Sequence, residues 1–367
     1  MRDSLKALLL LNACECFDRY FWEGLKKNGL SPSLLWEDRG AVAQKLNISE
    51  SADNKIGRLV SEGWAEREYQ ACLENNIRIV SIEDPEYPAR LFKCSGAPLV
   101  LYISGQDLDL KDAVSIVGTR KCTHYGRNAG RNIAVAAASA GGIVISGGAR
   151  GIDASAHEGA LSAEGATVAV LGTGINVVYP KGHVDLFRRI KDNGMLISEY
   201  PLGSTGKQWR FPRRNRIIAG LSDVTVVVEA PRRSGAIITA GYAMEYGRDV
   251  WAVPGRIDEG VCSGSNALVS DGAYPLVDIP DFVNYIFSRQ LEIFTQKEDN
   301  IHFEDQSGLS QLENIILALL RESGDRTVDN ISSECKMSAS SVMTTLGGLC
   351  AKNLVYPSGP GRWRAGL

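Results

Sequence analysis

Metal-binding and disulfide signatures are absent from this sequence. Eight cysteines occur among 367 residues, but none forms a Cys-x-x-Cys pair or joins a histidine at the spacing of a zinc site. Only four histidines are present. We therefore expect no bound metal and no disulfide framework. Reduced, mostly buried thiols are typical of a cytoplasmic protein, which is the location that we predict.

Long hydrophobic runs are also missing. No stretch approaches the roughly 20 apolar residues that cross a membrane, so we predict no membrane association. The N-terminal run from Ala7 to Leu11 is shorter than the core of a signal peptide, and Glu15 and Asp18 follow it closely. We interpret this run as part of an amphipathic helix.

Charge of one sign is not in excess. The formal net charge is −3, which argues against a globally basic, histone-like protein, so a site for a polyanion must be a local patch. Hydrophobic residues make up 44% and charged residues 23% of the chain, as in an ordinary globular protein. A length of 367 residues favours two or three domains.

Apolar residues at helical spacing dominate residues 1–75, which predicts a small all-helical domain. Residues 76–110 contain two strand-like segments separated by prolines and lead into the central region. We group them with that region as an extended domain, 76–287.

Six short apolar segments alternate with helix-length segments in the central region. The predicted strands are 113–117, 142–146, 167–171, 195–198, 224–228 and 249–253. Strands that are apolar throughout are buried on both faces of a parallel sheet. The alternation predicts a doubly wound, Rossmann-like α/β fold with its ligand at the carboxyl ends of the strands.

The last part of the chain has a different pattern. Residues 288–308 are polar without sustained periodicity, which indicates a linker. Residues 309–367 follow the order helix, short helix, helix and hairpin, which is typical of a winged helix.

Three predicted strands end in small residues followed by a cation. Free backbone N–H groups at a helix start favour phosphate, so we interpret these loops as phosphate-binding. The alternative is that the glycines serve only tight packing. The residues concerned are Gly118, Thr119, Arg120 and Lys121 in the first loop, Gly147, Gly148 and Arg150 in the second, and Lys181 in the third.

The segment WRFPRRNRIIAGLS at 209–222 is the densest cationic and aromatic signal. Guanidinium groups match phosphate oxygens, and aromatic rings can stack on unpaired bases. Seven Lys or Arg residues occur between Lys207 and Arg233 against two acids. The alternative is a solvated helix start with Trp209 and Phe211 in the core. Candidate residues here are Arg210, Phe211, Arg213, Arg214, Asn215 and Arg216, joined by Ser234 and Gly235 of the next small-residue loop.

Signatures of catalysis and cofactor binding are incomplete. Gly172-Thr173-Gly174 does not continue into a dinucleotide fingerprint, and no Walker motif is present. Asp153 and His157 lie one helical turn apart, which a capping aspartate and a surface histidine would explain. We therefore expect no cofactor and no enzyme activity.

Several motifs together resemble the DNA-processing protein A (DprA, or Smf) family of bacteria. They are SIVGTRKCTHYG, SGGARGIDASAH, GTGINVVYP, SEYPLG, FPRRNRIIAGLS, SGAIITAGYAMEYGRDVWAVPG and GSNALVSDGA, and they follow the family's order through the central region. The resemblance implies a cytosolic protein that binds incoming single-stranded DNA, protects it and loads the RecA recombinase on it during natural transformation. It also implies a homodimer formed by the Rossmann-like core.

For the terminal regions the resemblance implies an N-terminal domain of SAM or helix-hairpin-helix type and a C-terminal winged helix. Residues 1–75 lack the glycine-rich hairpin of such N-terminal regions. Contact of the winged helix with duplex DNA or with protein remains open.

Two other functions are compatible with the sequence. One is a nucleotide phosphoribohydrolase of a related Rossmann-like group, although the loop that reads SGAIITA lacks that group's glutamate. The other is an interaction scaffold, in which the helical ends recruit partners and the basic loops bind any anion.

Overall fold

The computed structural model of the protein describes residues 1–286, 311–335, 339–352, 354–359 and 362–366. The chain forms two compact units, Met1–Ile293 and Phe294–Leu367. The linker predicted at 288–308 lies outside the described residues. Among those residues, no helix combines the length and apolar composition needed to cross a bilayer.

Six helices form the N-terminal region of the first unit. Several begin at side-chain caps: Asp18 accepts from the N–H of Phe21, and Ser49 accepts from the N–H of Ala52. The helices are α1 (Asp3–Cys14), α2 (Arg19–Lys27), α3 (Leu34–Glu37), α4 (Arg39–Leu46), α5 (Glu50–Ser61) and α6 (Trp64–Glu74).

The first helix differs from its prediction. A helix is present, but every residue from Ala7 to Cys14 is buried, so α1 is enclosed nearly all round rather than amphipathic. It lies between α5, α6 and the sheet, and its leucines join the core that the sheet forms on that face. The N-terminal helices are therefore packed against the α/β region within one compact unit.

A nine-stranded sheet organises the rest of this unit. Its spatial order is β1-β2-β6-β5-β4-β3-β7-β8-β9, with β3 to β9 parallel and with β1 and β2 antiparallel at one edge. The strands are β1 (Arg78–Ser81), β2 (Val100–Gly105), β3 (Ala113–Val117), β4 (Ile143–Ser146), β5 (Thr167–Leu171), β6 (Met195–Ser198), β7 (Val224–Val227), β8 (Asp249–Ala252) and β9 (Tyr274–Pro275).

Helices cover both faces of this sheet. They are α7 (Ala89–Phe92), α8 (His124–Ser139), α9 (Ile152–Ser162), α10 (Val184–Asn193), α11 (Arg210–Leu221), α12 (Gly235–Glu245), α13 (Ser263–Ser270) and α14 over residues 279–286. Two hydrophobic clusters, one on each face, contain side chains from alternate positions of the strands. The six strands predicted from apolar runs are confirmed to within one residue, because a strand covered on both faces is apolar throughout.

The order of the strands places a switch point at the centre of the sheet. The chain moves outward from β3 through β4 and β5 to β6, then returns to place β7 on the other side of β3. Loops that leave β3 and β7 therefore diverge to opposite sides and leave a crevice at the carboxyl ends of these two strands.

The described residues of the second unit form three helices and a three-stranded antiparallel sheet of order β10-β12-β11. Its elements are α15 (Gln311–Ser323), β10 (Arg326–Thr327), α16 (Val328–Cys335), α17 (Ala339–Ala351), β11 (Val355–Gly359) and β12 (Arg362–Ala365). A small core of apolar residues, among them Ile316, Ile331 and Leu346, holds the helices together.

His157 is not the surface residue that the sequence suggested. It is fully buried on α9, where its Nδ1 lies 2.8 Å from the Thr167 hydroxyl oxygen. That hydroxyl donates to the carbonyl oxygen of Val144, so it accepts the proton of Nδ1. Burial, with the nearby positive charges of His183 and Arg214, lowers the pKa of His157 to about 3.

We expect this histidine to make the fold sensitive to acid. Its pKa in the unfolded chain is about 6.5, so below that pH the unfolded state binds a proton that the folded state excludes. The free energy of unfolding should fall by about 3 kcal/mol between pH 6.5 and pH 4 from this group alone. His157→Asn, which does not titrate in that range, should flatten the pH dependence measured by chemical denaturation. Superimposable pH profiles for the two proteins would contradict the assignment.

Candidate nucleic-acid interface

A cleft of 830 Å³ opens at the switch point. Its walls come from the loop after β3, the start of α11 and the loop between β7 and α12. Nine of the residues predicted as a binding site line this cleft: Gly118, Thr119, Arg120, Lys121, Phe211, Arg214, Asn215, Ser234 and Gly235.

The loop after β3 is fixed from below by Glu229. The backbone N–H of Thr119 donates to the carbonyl oxygen of Glu229 at 2.7 Å. The buried carboxylate of Glu229 accepts from the N–H of Thr123 at 2.9 Å and from its hydroxyl at 2.5 Å, and that hydroxyl caps α8. Glu229, two residues after the end of β7, thus holds both the start of α8 and the loop that precedes it. Arg120 and Lys121 project from this anchored loop and are exposed.

Aromatic rings form part of the cleft wall. The ring of Phe211 lies 5.1 Å from the ring of Tyr179, and the guanidinium of Arg120 lies over its face at 5.3 Å. The Tyr179 ring is 46% exposed and that of Trp209 is 47% exposed. Phe211, Tyr179 and Arg120 thus place two rings beside a positive charge, an arrangement that suits the stacking of a base.

The opposite wall is the N-terminus of α12. Asn215 donates from its side-chain amide to the carbonyl oxygen of Gly235 at 2.9 Å, which joins α11 to the first turn of α12. The hydroxyl oxygen of Ser234 is buried and has no hydrogen-bond partner among the described residues. Arg233 is exposed beside it. Free N–H groups at this helix start face the cleft, as anion-binding helix ends do.

Arg214 reaches from the cleft into the interior. It donates to the carbonyl oxygens of Gly147, at 2.7 Å, and of Val170. Burial lowers the pKa of Arg214 to about 10, in part offset by the carboxylate of Asp153. Burial also raises the pKa of Asp153, although Arg214 opposes this. Arg214 therefore joins β4, β5 and the cleft floor.

The predicted residues of the second and third loops lie beside the cleft, although Ala149 and Tyr179 of the same loops line it. Gly147 is buried against the Arg214 guanidinium. Gly148 has a φ of +64°, and the ring of Phe187 fills the space that a side chain at this position would need. These glycines serve packing, the alternative that the sequence left open. Arg150 and Lys181 are exposed, but they do not line the cleft.

Three of the arginines at the start of α11 lie on its other side. Arg210 is buried and donates to both carboxylate oxygens of Glu15, at 2.6 and 3.0 Å. Arg213 donates to the backbone carbonyl oxygen of the same residue. Arg210 and Arg213, both predicted as DNA-binding residues, therefore face the N-terminal helices and do not line the cleft.

Arg216 is also buried, in a bidentate ion pair with Glu199 at 2.6 and 2.8 Å. Burial alone would raise the pKa of Glu199 and lower that of Arg216. The mutual attraction outweighs it, so the carboxyl pKa is lowered and the guanidinium pKa is raised. Arg216 is thus a structural residue and does not line the cleft.

The N-terminal helices hold the segment that leads into α11 at further points. The side-chain amide of Asn12 donates to the carbonyl oxygen of Glu199 at 2.7 Å, and the carboxylate of Glu68 accepts from the N–H of Leu202 at 2.8 Å. Burial raises the pKa of Glu68. Together with Glu15, these contacts fix residues 199–213 from the side opposite the cleft.

The sequence prediction missed several residues that line the cleft. Tyr179 precedes the lysine of the third loop, and Gln208 and Arg233 adjoin predicted residues, so proximity in sequence was a usable signal. Asp153 was read as a cap, and its carboxylate does accept from the N–H of Ala149 at 3.3 Å, but it also borders the cleft. Thr239 and Val261 carried no signal in the sequence.

In the part of the chain that the structure describes, no cluster of three or more His, Cys, Asp or Glu side chains could hold a metal ion. The expectation that no cofactor is bound stays a prediction.

Comparison with known proteins identifies the family. The family model for "DNA recombination-mediator protein A" matches residues 78–287, more than half of the chain. The chain belongs to this family. The matched residues contain the nine-stranded sheet and every residue that lines the cleft.

Relatives with curated names are similar over part of their length. The chain is 41% identical over 226 residues to Protein Smf of Synechocystis, 56% of each chain. It is 36% identical over 262 residues to a putative DNA processing protein DprA of Mycobacterium tuberculosis, 68% of this chain and 66% of that one. The alignments thus span between about half and two thirds of these relatives.

Two solved structures share the fold. The structure of DprA from Streptococcus pneumoniae aligns with a TM-score of 0.65 at 32% identity, over 77% of this chain and 96% of that one. The DprA structure from Helicobacter pylori, whose subject is a single-stranded DNA binding mode, aligns with a TM-score of 0.53 at 29% identity over 58% and 97%.

The ion pair between Glu15 and Arg210 should contribute strongly to stability in this family member. Glu15→Gln leaves a buried guanidinium without its counter-charge, and we expect the free energy of unfolding to fall by about 3 kcal/mol. Replacing both partners with apolar residues, Glu15→Leu with Arg210→Met, should recover much of this loss because no unpaired charge remains. The measurement is chemical denaturation of the full chain.

The control for this prediction is Glu62→Gln, which removes an exposed pairing with Arg67. Exposed pairs contribute little, so its effect should stay below about 0.5 kcal/mol. A loss for Glu15→Gln no larger than that of the control would contradict the structural role.

Proposed function

We propose that this protein binds single-stranded DNA in the cleft at the switch point and acts as a recombination mediator. The observation that supports this best is the arrangement of Arg120 over Phe211, with Lys121 and Arg233 exposed on the same cleft. Cations there attract the phosphates, and the rings of Phe211 and Tyr179 accept bases by stacking. Membership of the family and the DNA-binding subject of the Helicobacter pylori structure support the same function.

A single strand fits this chemistry better than a duplex does. Stacking on Phe211 or Tyr179 needs a base whose face is free, and the bases of a duplex are already stacked on each other. The small residue at Gly235 lets backbone N–H groups approach phosphate oxygens closely, whereas Gly118 is packed against Ile152 and the backbone of Glu229. Selectivity for unpaired DNA should therefore come from the rings, and most of the affinity from the cations.

The resemblance to the family supports a more detailed role. In this proposal the protein protects incoming single strands and loads RecA on them during natural transformation, in the cytoplasm and as a homodimer of the Rossmann-like domain. The C-terminal region at 309–367 is a winged helix that contacts duplex DNA or protein, and residues 1–75 are a SAM or helix-hairpin-helix-like domain.

We test the site with a variant that carries Arg120→Ala, Lys121→Ala and Arg233→Ala. Each lost phosphate contact lowers the dependence of log affinity on log salt by about 0.7 for a single strand, so the slope should fall by about 2. Fluorescence anisotropy with a strand of about 25 nucleotides measures both affinity and slope. These side chains are exposed, so thermal unfolding should be unchanged.

The matched control replaces three exposed cations of the N-terminal helices, Lys27, Arg58 and Arg67, with alanine. It has the same change in net charge but is expected to retain affinity within about twofold. Equal weakening of both variants would show that general charge, and not the cleft, is responsible. Arg214 and Arg216 are unsuitable for this test because their buried contacts support the fold.

A binding role, without catalysis, is part of the proposal. Asp153 supports the alternative of a nucleotide phosphoribohydrolase, because it is a buried acid with a raised pKa that borders the cleft. Its carboxylate, however, accepts from the N–H of Ala149, and the positive charge of Arg214 opposes the rise of its pKa. We expect adenosine monophosphate to remain intact after prolonged incubation with the protein, as measured by chromatography. If the protein instead released the free base, and Asp153→Asn abolished that release, the phosphoribohydrolase function would be favoured.

A further inference from the structure

The outward face of α8 carries cations that nothing in the proposed site uses. The helix begins three residues after Lys121, which lines the cleft. Six residues in its first three turns are exposed, and no acidic residue occurs along its length. They are His124, Tyr125, Arg127, Asn128, Arg131 and Asn132.

Packing on the inner side fixes which way this face points. Gly126 is buried against the carboxylate of Glu229, where a side chain would collide. Gly130 lies against Ile152 of α9, at a distance that leaves only van der Waals contact for a Cβ. The two glycines let α8 lie close to the sheet and to α9, and of the residues between them Arg127 and Asn128 are exposed.

The cations of this face are unpaired. Within the described residues, neither Arg127 nor Arg131 has a carboxylate oxygen within 4.0 Å, and the same holds for Lys121. Acids outnumber bases over the whole chain, 43 to 40, so unpaired neighbouring arginines are a local departure. Glu158 is exposed on α9, which packs along α8, but it forms no ion pair with them. The surface is therefore free to meet an external anion.

This face also continues the cleft. Because α8 rises about 1.5 Å per residue, Arg127 and Arg131 lie about 4.5 and 10.5 Å along its axis from His124. That length matches about three stacked nucleotides at roughly 3.4 Å each. Tyr125 is 57% exposed and precedes both arginines along the helix.

We propose that the outward face of α8 is a second nucleic-acid-binding surface, which takes up the single strand where it leaves the cleft past Lys121. Arg127 and Arg131 bind phosphates and Tyr125 stacks on a base. This inference rests on the proposed function of the cleft, and it assigns to α8 the nucleotides that the cleft cannot enclose.

The test compares two lengths of single strand, about 6 and about 25 nucleotides, by fluorescence anisotropy on the full chain. The double variant Arg127→Gln with Arg131→Gln should bind the short strand with an affinity within twofold of the wild type. The long strand should bind roughly tenfold more weakly at about 0.1 M salt, with the salt slope lower by about 1.4 for two lost contacts.

Tyr125 offers a readout of a different kind. Tyr125→Ala should weaken the long strand with the salt slope unchanged, because stacking releases no counterions, and Tyr125→Phe should retain wild-type affinity. A fall in slope for Tyr125→Ala would contradict the stacking role.

The matched control is Arg188→Gln with Arg189→Gln, two exposed arginines on α10, a helix that packs on β2, β5 and β6. It should bind both strands as the wild type does. The inference is overturned if this control weakens the long strand as much as the α8 variant, if the α8 variant binds the long strand normally, or if it loses both strands alike. If the wild type binds neither strand, the proposed function itself fails, which is a distinct result.

Discussion

Helix α11 depends on charges that are neutralised inside the protein. A guanidinium buried without a counter-charge would destabilise the fold severely, and two such groups lie on the same helix. Glu15 and Glu199 resolve this by bidentate ion pairs with Arg210 and Arg216. With that side of α11 fixed, Phe211, Arg214 and Asn215 on the opposite side are held at the cleft. The N-terminal helices and the candidate site therefore lie on opposite sides of α11.

Strand positions were predictable from sequence because a strand that is buried on both faces has apolar residues throughout. Each strand from β3 to β8 is a short apolar run, and the alternation with helices indicated a parallel, doubly wound sheet. The switch point, and so the place of the site, followed from that topology. The antiparallel pair β1 and β2 was seen as strands, but nothing local in the sequence indicates which edge of the sheet they join.

The candidate site was only partly predictable, and the reason is the partners of the arginines. A run of four arginines shows a local excess of positive charge. When the run forms a helix, however, Arg213 and Arg216 lie on one side and Arg214 on the other. Their partners are distant: Glu15 is 195 residues from Arg210. The prediction that His157 lies on the surface was wrong for a related reason. Its partner is the hydroxyl of Thr167 on β5, and the sequence does not show that these two side chains meet.

Contact over such a distance affects how the chain folds as it is made. Helix α1 is synthesised before the segment that covers its end, and Arg210, which neutralises Glu15, follows that residue by 195 positions. At roughly 5–20 residues per second, that interval is on the order of 10–40 s. During it the leucines of α1 are without their final cover, so the nascent N-terminal region is a natural client for chaperones. A truncation that ends before α11 should therefore behave as an aggregation-prone fragment rather than as a small independent domain.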